Sequence, residues 1–239
     1  SVTTIGGSAF SGCSSLTSVT IGNSVTSIAN NAFEGCTSLT SITIPNSVTE
    51  IEEEVFQNCT NLSAFYGKFA SSDNRCLIVD GVLIGFAGAG VESYVISSSV
   101  NRIGSGAFYG CSALVSIKIP DSVMQIGQNA FCDCTALPVV DGLIYAGNCL
   151  VGGTNEERQI HKIRPGTRLI AESALDCVPV KNLVVPASVT VINGEFYDYG
   201  GLVSVEFQGE LCVTEFPACS DLKRVTHRGV SVEFDTGWK

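Results

Sequence analysis

A 23-residue pattern recurs along this chain and limits the possible folds more than any other feature of the sequence. The segment GGSAFSGCSSLTSVTIGNSVTSI begins at Gly6, and ANNAFEGCTSLTSITIPNSVTEI follows from Ala29 with the same residue types at nearly every position. A fixed period of this size is typical of solenoids, because one repeat cannot bury its apolar face alone and stacked neighbours supply the missing contacts. We therefore predict a solenoid rather than a globular arrangement.

Four kinds of position recur in register: an aromatic residue, a cysteine, a leucine and an isoleucine that closes the unit. They are occupied by Phe10, Phe33, Phe56, Phe108 and Phe131; Cys13, Cys36, Cys59, Cys111 and Cys134; Leu16, Leu39, Leu62, Leu114 and Leu137; and Ile28, Ile51, Ile103 and Ile126. From residue 167 onward the matches are fewer, but the spacing remains. These later matches are Cys177, Val180, Leu183 and Val185, then Tyr199, Leu202, Val205 and Phe207, then Phe216, Cys219, Leu222 and Val225. We count eight units and predict one continuous array.

Local patterns predict the structure of each unit. In LTSITIP the apolar and polar residues alternate, which is typical of a half-buried strand, and Pro45 ends that strand because it offers no N–H to a ladder. Parallel strands are expected at about residues 17–21, 40–44, 63–66, 115–119, 183–185 and 203–207, stacked along one curved sheet. The stretch NNAFEGC is too short for an independent helix and contains glycine, so we predict a single helical turn or a 3₁₀ segment. Phe33 should be buried between Phe10 and Phe56.

The motif AFxGCxxLxxIxIPxSVxxI resembles that of the BspA-type leucine-rich repeats, which are found in secreted and cell-surface proteins. The resemblance is strongest over residues 1–62 and 100–137, and a Pro/Gly-x-Ser-Val turn stands where general leucine-rich repeats have Asn or Cys. It implies an α/β repeat fold that is mostly β: a curved right-handed leucine-rich-repeat solenoid with a parallel concave sheet and short helical or 3₁₀ turns outside. It also implies adhesion or ligand binding at a cell surface or outside the cell, without catalysis.

The expected layout is a single leucine-rich-repeat domain over residues 1–239, with regular repeats at 1–66 and 100–137 and degenerate repeats at 167–239. Two hairpin-like insertions interrupt the array at about 76–97 and 138–163, and each carries Val-Asp-Gly, a strong hairpin signal, between apolar runs. The second insertion contains a charged loop, which is either simply solvated or a contact site on the flank. Its charged and titratable residues are Glu156, Glu157, Arg158, His161, Lys162, Arg164 and Arg168.

Charge and composition exclude some classes of function. The net charge of −10 argues against a nucleic-acid partner, which would require a basic surface. No apolar run is long enough to cross a membrane, and no signal peptide precedes Ser1. Because Ser1 falls inside a repeat, we expect the chain to come from a longer array, with an uncapped apolar end at its first coil.

The eleven cysteines are interpreted mainly as packing residues. Seven of them occupy one repeat position, where a free cysteine acts as a small buried apolar residue and where stacked neighbours have poor geometry for a disulfide. The seven are Cys13, Cys36, Cys59, Cys111, Cys134, Cys177 and Cys219. The other four leave their redox state open: Cys76, Cys132, Cys149 and Cys212.

Neither a metal site nor a catalytic site is predicted, and no cofactor is expected. Cys132, Cys134, Cys149 and His161 could be drawn as a zinc set, but their spacing fits no structural zinc pattern. His227 falls in the strand of the last unit, where a capping or partly buried role is expected. No phosphate-binding loop, nucleophile elbow or dinucleotide motif occurs. We therefore expect no enzyme activity.

The outward positions of the strands form the candidate binding surface, the concave face in a solenoid of this kind. Most are Ser or Thr, which also suit any exposed β surface, so Tyr66 and Lys118 stand out among them. The candidate ligand-binding residues are Ser18, Thr20, Ser41, Thr43, Tyr66, Lys118 and Glu206.

Two functions are compatible with such a face. The first is a cell-surface or secreted adhesion module that recognises a protein or a glycan. The second is a structural spacer within a larger surface protein, with no ligand of its own. Exposed aromatic residues near Tyr66 would favour the first, and a uniform Ser/Thr face would favour the second.

Overall fold

The computed structural model describes residues 1–176, 178–194, 201–210, 219 and 221–233, and these residues form β-strands and turns without a helix. The chain divides into two compact units, Ser1–Ala136 and Leu137–Lys239. The strands of the first unit are β1 (Thr4–Ile5), β2 (Ser27–Ile28), β3 (Ser41–Ile44), β4 (Glu50–Ile51), β5 (Ala64–Gly67), β6 (Cys76–Val79), β7 (Val82–Phe86), β8 (Ser93–Val95), β9 (Arg102–Ile103), β10 (Ser116–Lys118) and β11 (Gln125–Ile126). Those of the second are β12 (Val139–Val140), β13 (Leu143–Ala146), β14 (Cys149–Gly153), β15 (His161–Lys162), β16 (Leu169–Ile170), β17 (Asn182–Val185), β18 (Val191–Ile192), β19 (Ser204–Phe207), β20 (Arg224–His227) and β21 (Val230–Glu233).

The first unit is a stack of coils held together by parallel ladders on two faces. One face carries the main strands, with β3 beside β5 and β8 beside β10. The other carries short strands, in the orders β1-β2-β4 and β11-β9-β7-β6. Each coil contributes to both faces and then passes to the next, so the stack is a β-solenoid, as the repeat pattern predicts.

The second unit also stacks parallel strands on two faces. Its main strands are β15, β17, β19 and β20, which pair in that order, and β21 joins the edge as an antiparallel partner of β20. Its other sheet runs β12-β13-β14-β16-β18, antiparallel at the start and parallel from β14 onward. The inward residues Leu183, Val205 and Phe207 are buried at alternate positions, which is the period-two pattern expected of strands with one face in the core.

Five of the six predicted main strands are present, and one is not. Residues 17–21 form no strand, so that prediction is wrong: their coil packs against one neighbour only, and their backbone makes no ladder with β3. The main strands of the first unit also do not form one continuous sheet. Phe65 N–H donates to the Asn74 carbonyl, and Ala89 N–H donates to the Leu62 carbonyl. Irregular backbone therefore occupies the edge of β5 that the next main strand was expected to fill.

The predicted helical or 3₁₀ turns are replaced by a succession of tight turns. Asn31 and Gly35 have φ of 57° and 65°, and residues in this left-handed region interrupt a run of helical hydrogen bonds. Alternate amides therefore bond to the next coil: Phe33 N–H donates to Val55 O at 2.9 Å and Gly35 N–H to Gln57 O at 2.8 Å. The amides between them close local turns, such as Glu34 N–H to Asn31 O at 3.1 Å.

Both Asp-Gly dipeptides form the hairpin turns that the sequence predicts. Asp80 and Gly81 have φ of 48° and 82° and join β6 to β7, while Asp141 and Gly142 have φ of 52° and 77° and join β12 to β13. Two consecutive positive φ values are the geometry of a type I′ turn, which matches the twist of the flanking strands. The first hairpin is also part of the stack, because β7 pairs in parallel with β9.

The aromatic column forms the core of the first unit. Phe33 is 0% exposed, and its ring stacks 5.2 Å from Phe10 and 5.6 Å from Phe56. The prediction for Phe33 is therefore confirmed. Phe108 and Phe131 repeat the arrangement with centroids 4.8 Å apart.

The cysteine column has a second role that the sequence analysis missed. Cys36, Cys59, Cys111 and Cys134 are buried as predicted, but Cys13 is exposed because no earlier coil covers it. The thiols of Cys36, Cys59 and Cys134 each donate to the carbonyl of the aromatic residue one coil earlier, at 3.3, 3.1 and 3.1 Å. That carbonyl already accepts the N–H of its own coil's cysteine, as Phe33 O does from Cys36. The thiol thus fills a remaining acceptor site as well as a packing space. Cys177 lies outside the described residues.

These thiols should differ sharply in reactivity. Burial raises the pKa of the Cys59 thiol to about 12, and only the thiolate reacts readily with an alkylating reagent. We expect Cys13 to be alkylated quickly in the folded protein, and Cys36, Cys59, Cys111 and Cys134 only on unfolding. Peptide mass spectrometry after timed iodoacetamide exposure measures this. Equal rates at Cys13 and Cys59, or a disulfide between any two of the five, would contradict it.

Candidate binding face

The first part of the main-strand face is the ladder of β3 and β5. Its register places Ser41 opposite Ala64 and Thr43 opposite Tyr66, all pointing outward. Tyr66 is 45% exposed, which is high for an aromatic side chain on a strand. Because its ladder neighbours are small and nearly half of its surface is open to solvent, Tyr66 is placed to contact a partner.

The second part is the ladder of β8 and β10. Lys118 lies opposite Val95, which is 63% exposed, and Ser116 lies opposite Ser93 with their hydroxyl oxygens 2.9 Å apart. This ladder pairs a cation with an exposed apolar residue. The sequence analysis did not predict β8 as a main strand, because its repeat motif is incomplete and lacks the aromatic and cysteine positions.

A polar network anchors the segment between these two ladders. The hydroxyl of Tyr94 donates to Asp73 Oδ2 at 2.9 Å and accepts from the Cys76 thiol at 3.2 Å, while Ser71 donates to Asp73 Oδ1 at 2.6 Å. Burial opposes ionisation of Asp73, but hydrogen bonds from Ser71, the Arg75 amide and Tyr94 outweigh it and lower the pKa of Asp73. Burial raises the pKa of Cys76 to about 12. Cys76 is therefore a protonated hydrogen-bond donor and not a nucleophile.

A second polar contact spans the hairpin region. The Arg102 guanidinium forms a two-pronged ion pair with both carboxylate oxygens of Glu53, and Glu53 Oε2 also accepts the Ser105 N–H at 2.6 Å. Burial raises the pKa of Glu53, but these hydrogen bonds and the Arg102 charge lower it by more. Ser105 occupies the repeat position of Asn30, whose N–H is bonded by Glu52 at 2.7 Å. The amide at this repeat position therefore donates to a carboxylate in both coils. The carboxylate comes from a later residue, Glu52, for Asn30 and from an earlier residue, Glu53, for Ser105. Glu53 is part of an acidic run in residues 50–54.

A groove opens beside β3 in the first unit. It has a volume of about 610 Å³ and no charged residue in its walls. Its lining includes Thr20 and Thr43, which the sequence analysis assigned to the binding face. Ser18 is exposed on the same unpaired segment, whereas the sequence predicted that Ser18 and Thr20 would stack on Ser41 and Thr43.

Glu206 belongs to the second unit. It is exposed on β19, with Val184 and Thr226 as its ladder neighbours on the same face. The same register places Ser204 beside Arg224.

The repeat motif itself decides the family. The family model of the BspA type leucine rich repeat region matches residues 1–72 and 85–142 in six copies. The chain belongs to the BspA-type leucine-rich-repeat family. No curated protein is significantly similar in sequence to it.

Two solved structures share this BspA-type fold over most of the chain. One is a leucine rich cell surface protein from Faecalibacterium prausnitzii A2-165, with 27% identity and a TM-score of 0.61 over 96% of this chain and 58% of that chain. The other is the pneumococcal vaccine antigen PcpA, with 19% identity and a TM-score of 0.57 over 88% of this chain and 55% of that chain. This BspA-type chain therefore spans only somewhat more than half the length of either protein.

In the charged loop of the BspA-type chain, Arg158 forms ion pairs within the loop and with the neighbouring hairpin turn. Arg158 contacts Asp141 at 3.3 Å and Glu156 at 2.9 Å. His161 is 0% exposed, its two ring nitrogens lack a hydrogen-bond partner, and burial lowers its pKa. His161 is therefore a buried residue of β15 and not part of a charged surface. His227 is partly buried, as predicted, with Nε2 2.9 Å from the Gly209 carbonyl.

Within the described ranges, no three or more His, Cys, Asp or Glu side chains are grouped as metal ligands. No described helix could cross a bilayer.

Proposed function

We propose that this chain is a non-catalytic binding module of a bacterial cell surface that recognises a protein or a glycan through its main-strand face. The observation that carries the proposal is Tyr66, an aromatic ring 45% exposed on a flat ladder of small residues. Exposed aromatic side chains frequently anchor interfaces, because they offer a large rigid contact area with few rotatable bonds. In a curved right-handed solenoid this face is the concave side, where a partner touches several coils at once.

Two further observations support the proposal. The exposed pair of Lys118 and Val95 offers a charge beside an apolar surface, a combination that suits the rim of an interface. The similar Faecalibacterium structure is described as a cell surface protein, which supports a location outside the cell for this chain as well. Ser18, Thr20, Ser41, Thr43 and Glu206 complete the proposed contact set.

Truncation of Tyr66 tests the proposal. The whole chain is first screened against immobilised matrix proteins and a glycan array, and Tyr66→Ala, Lys118→Ala and Glu206→Ala are then measured against the ligand returned. We expect Tyr66→Ala to weaken binding by about 2 kcal/mol or more, and Lys118→Ala by less, because central aromatic anchors contribute more than rim charges. Glu206→Ala tests separately whether the contact position in the second unit takes part in binding.

Unchanged affinity in all three variants would show that the main-strand face is not the contact surface. Alanine substitution of the exposed loop residues Glu157 and Lys162 would then test the flank. A screen without a ligand would favour the structural spacer.

A further inference from the structure

One edge of β3 has no strand partner in the described chain. The other edge bonds to β5: Ser63 N–H donates to Thr40 O and Lys68 N–H donates to Ile44 O, both at 2.9 Å. Alternate residues of a parallel strand direct their N–H and C=O groups to opposite sides. Since Thr40 and Ile44 face β5, the main-chain groups of Ser41 and Thr43 point towards the open edge.

A matched junction in the same unit shows how this edge closes elsewhere. Ser93–Val95 and Ser116–Lys118 occupy the repeat positions of residues 18–20 and 41–43, and they are paired. There Ser116 N–H donates to Glu92 O at 3.1 Å and Ile96 N–H donates to Lys118 O at 3.0 Å. The equivalent groups, Ile21 N–H and Thr43 O, form no such bond.

The serine side chain that follows each junction shows the same difference. Ser122 Oγ donates to Val100 O at 2.7 Å, which ties its coil to the one before. Its counterpart Ser47 Oγ is buried beside the open edge without a hydrogen-bond partner. Buried polar groups are rarely left unsatisfied, so the open junction holds hydrogen-bonding capacity that the chain does not use.

The space at this junction has the size and lining of a binding groove. Its volume of about 610 Å³ lies within the range of ligand pockets, roughly 300–1,000 Å³. Val19 lies on one wall and Pro45 on the other, both half-buried, whereas Ile21 and Ile44 behind them are 8% and 0% exposed. The remaining lining residues are uncharged: Thr20, Asn23, Thr43, Asn46, Ser47 and Gly67.

We propose that this groove accepts an extended, uncharged peptide segment, which adds as a strand to the open edge of β3. The unused main-chain groups of Ser41 and Thr43 recur at every second residue, which is the spacing that an extended peptide backbone matches. The apolar walls suit β-branched side chains on one side of such a segment, and the neutral lining disfavours charged ones. The inference rests on the proposed function, because it names a partner class for one part of the main-strand face.

A peptide titration tests the proposal. The probe is a fluorescent peptide with the sequence LTSITIPNS, copied from residues 39–47, and its anisotropy is followed as the whole chain is added. The control peptide is N-methylated at alternate residues, so it keeps its side chains but cannot donate along the edge. We expect saturable binding of the first peptide and none of the second, together with slowed hydrogen exchange at the Thr43 amide.

Two variants locate the site. Thr43→Pro removes an N–H that faces the groove and leaves the bonds to β5 in place, since proline is tolerated on a free strand edge. Thr20→Lys places a charge at the mouth of the groove from an exposed position. Each should weaken peptide binding about tenfold or more, through the lost hydrogen bond in the first variant and through the charge introduced beside an uncharged peptide in the second, with the thermal midpoint unchanged. If Thr43→Pro lowers the thermal midpoint, peptide binding by Thr20→Lys decides whether the groove is the binding site.

Three results would overturn the proposal. They are equal binding of the two peptides, unchanged binding in both variants, and protection of the Ile21 and Thr43 amides in the free protein, which would mean that the junction is closed. Tyr66→Ala should leave peptide binding intact, because Tyr66 is absent from the groove lining. Loss of ligand binding in Tyr66→Ala with retained peptide binding thus separates this site from the proposed function.

Discussion

Replacement of Phe33 by alanine is expected to lower the free energy of unfolding of the first unit by about 3–5 kcal/mol. The ring is fully buried between two stacked neighbours, 5.2 Å from Phe10 and 5.6 Å from Phe56. Its removal forfeits the transfer energy of a large apolar side chain and leaves a cavity that two coils cannot close without breaking their ladders. Urea titration followed by circular dichroism gives the loss directly.

Phe10→Ala is the matched control. Phe10 occupies the same repeat position but is 36% exposed at the end of the stack, so its truncation should cost at most about two-thirds as much, in proportion to the area removed from water, and it leaves no enclosed cavity. A loss below about 1 kcal/mol for Phe33→Ala, or equal losses at the two sites, would show that the aromatic column does not carry the core energy.

Gly67→Ala is expected to destabilise the protein by about 2–4 kcal/mol, through two costs that add. Gly67 has φ of 82°, where a side chain is strained, and a Cβ at this position would collide with the carbonyl oxygen of Ile44. That carbonyl also accepts the Lys68 N–H at 2.9 Å, so β5 cannot move away without losing a ladder bond. Thermal and urea unfolding of the variant measure the total loss in free energy of unfolding.

Gly12→Ala separates the two costs. Gly12 has φ of 72°, but a Cβ there would meet no atom within 4 Å. It should therefore show only the conformational cost, about 1 kcal/mol. Equal losses in Gly12→Ala and Gly67→Ala would mean that the close approach to Ile44 is relieved by a shift of the backbone.

The sequence by itself determined the features that recur in every repeat. The Phe and Leu columns predict the buried stack because the same environment recurs every 23 residues. The alternation in LTSITIP predicts β3, and Asp80-Gly81 predicts a hairpin, since both signals act within a few residues. Tyr66 was recognised as an exposed exception for the same reason, because its register position follows from its own copy.

Tertiary structure decided whatever depends on a partner distant in the sequence. The NNAFEGC stretch is compatible with a helical turn when taken alone, but its alternate amides bond to the next coil and Asn31 takes a left-handed φ. The pairing of Glu53 with Arg102 and of Asp73 with Tyr94 joins segments that no local pattern relates. Cys13 is exposed and Cys36 buried although their motifs are the same, because only Cys36 has a coil on each side.

The open edge of β3 is the clearest case of this division. Residues 16–25 and 39–48 carry nearly the same repeat, and the sequence predicts that their strands pair. Whether they do depends on the balance between ladder bonds and the packing of a coil that has a single neighbour, since a coil between two others gains interface energy on both sides. The same repeat positions therefore form a closed junction at β8 and β10 and an open one beside β3.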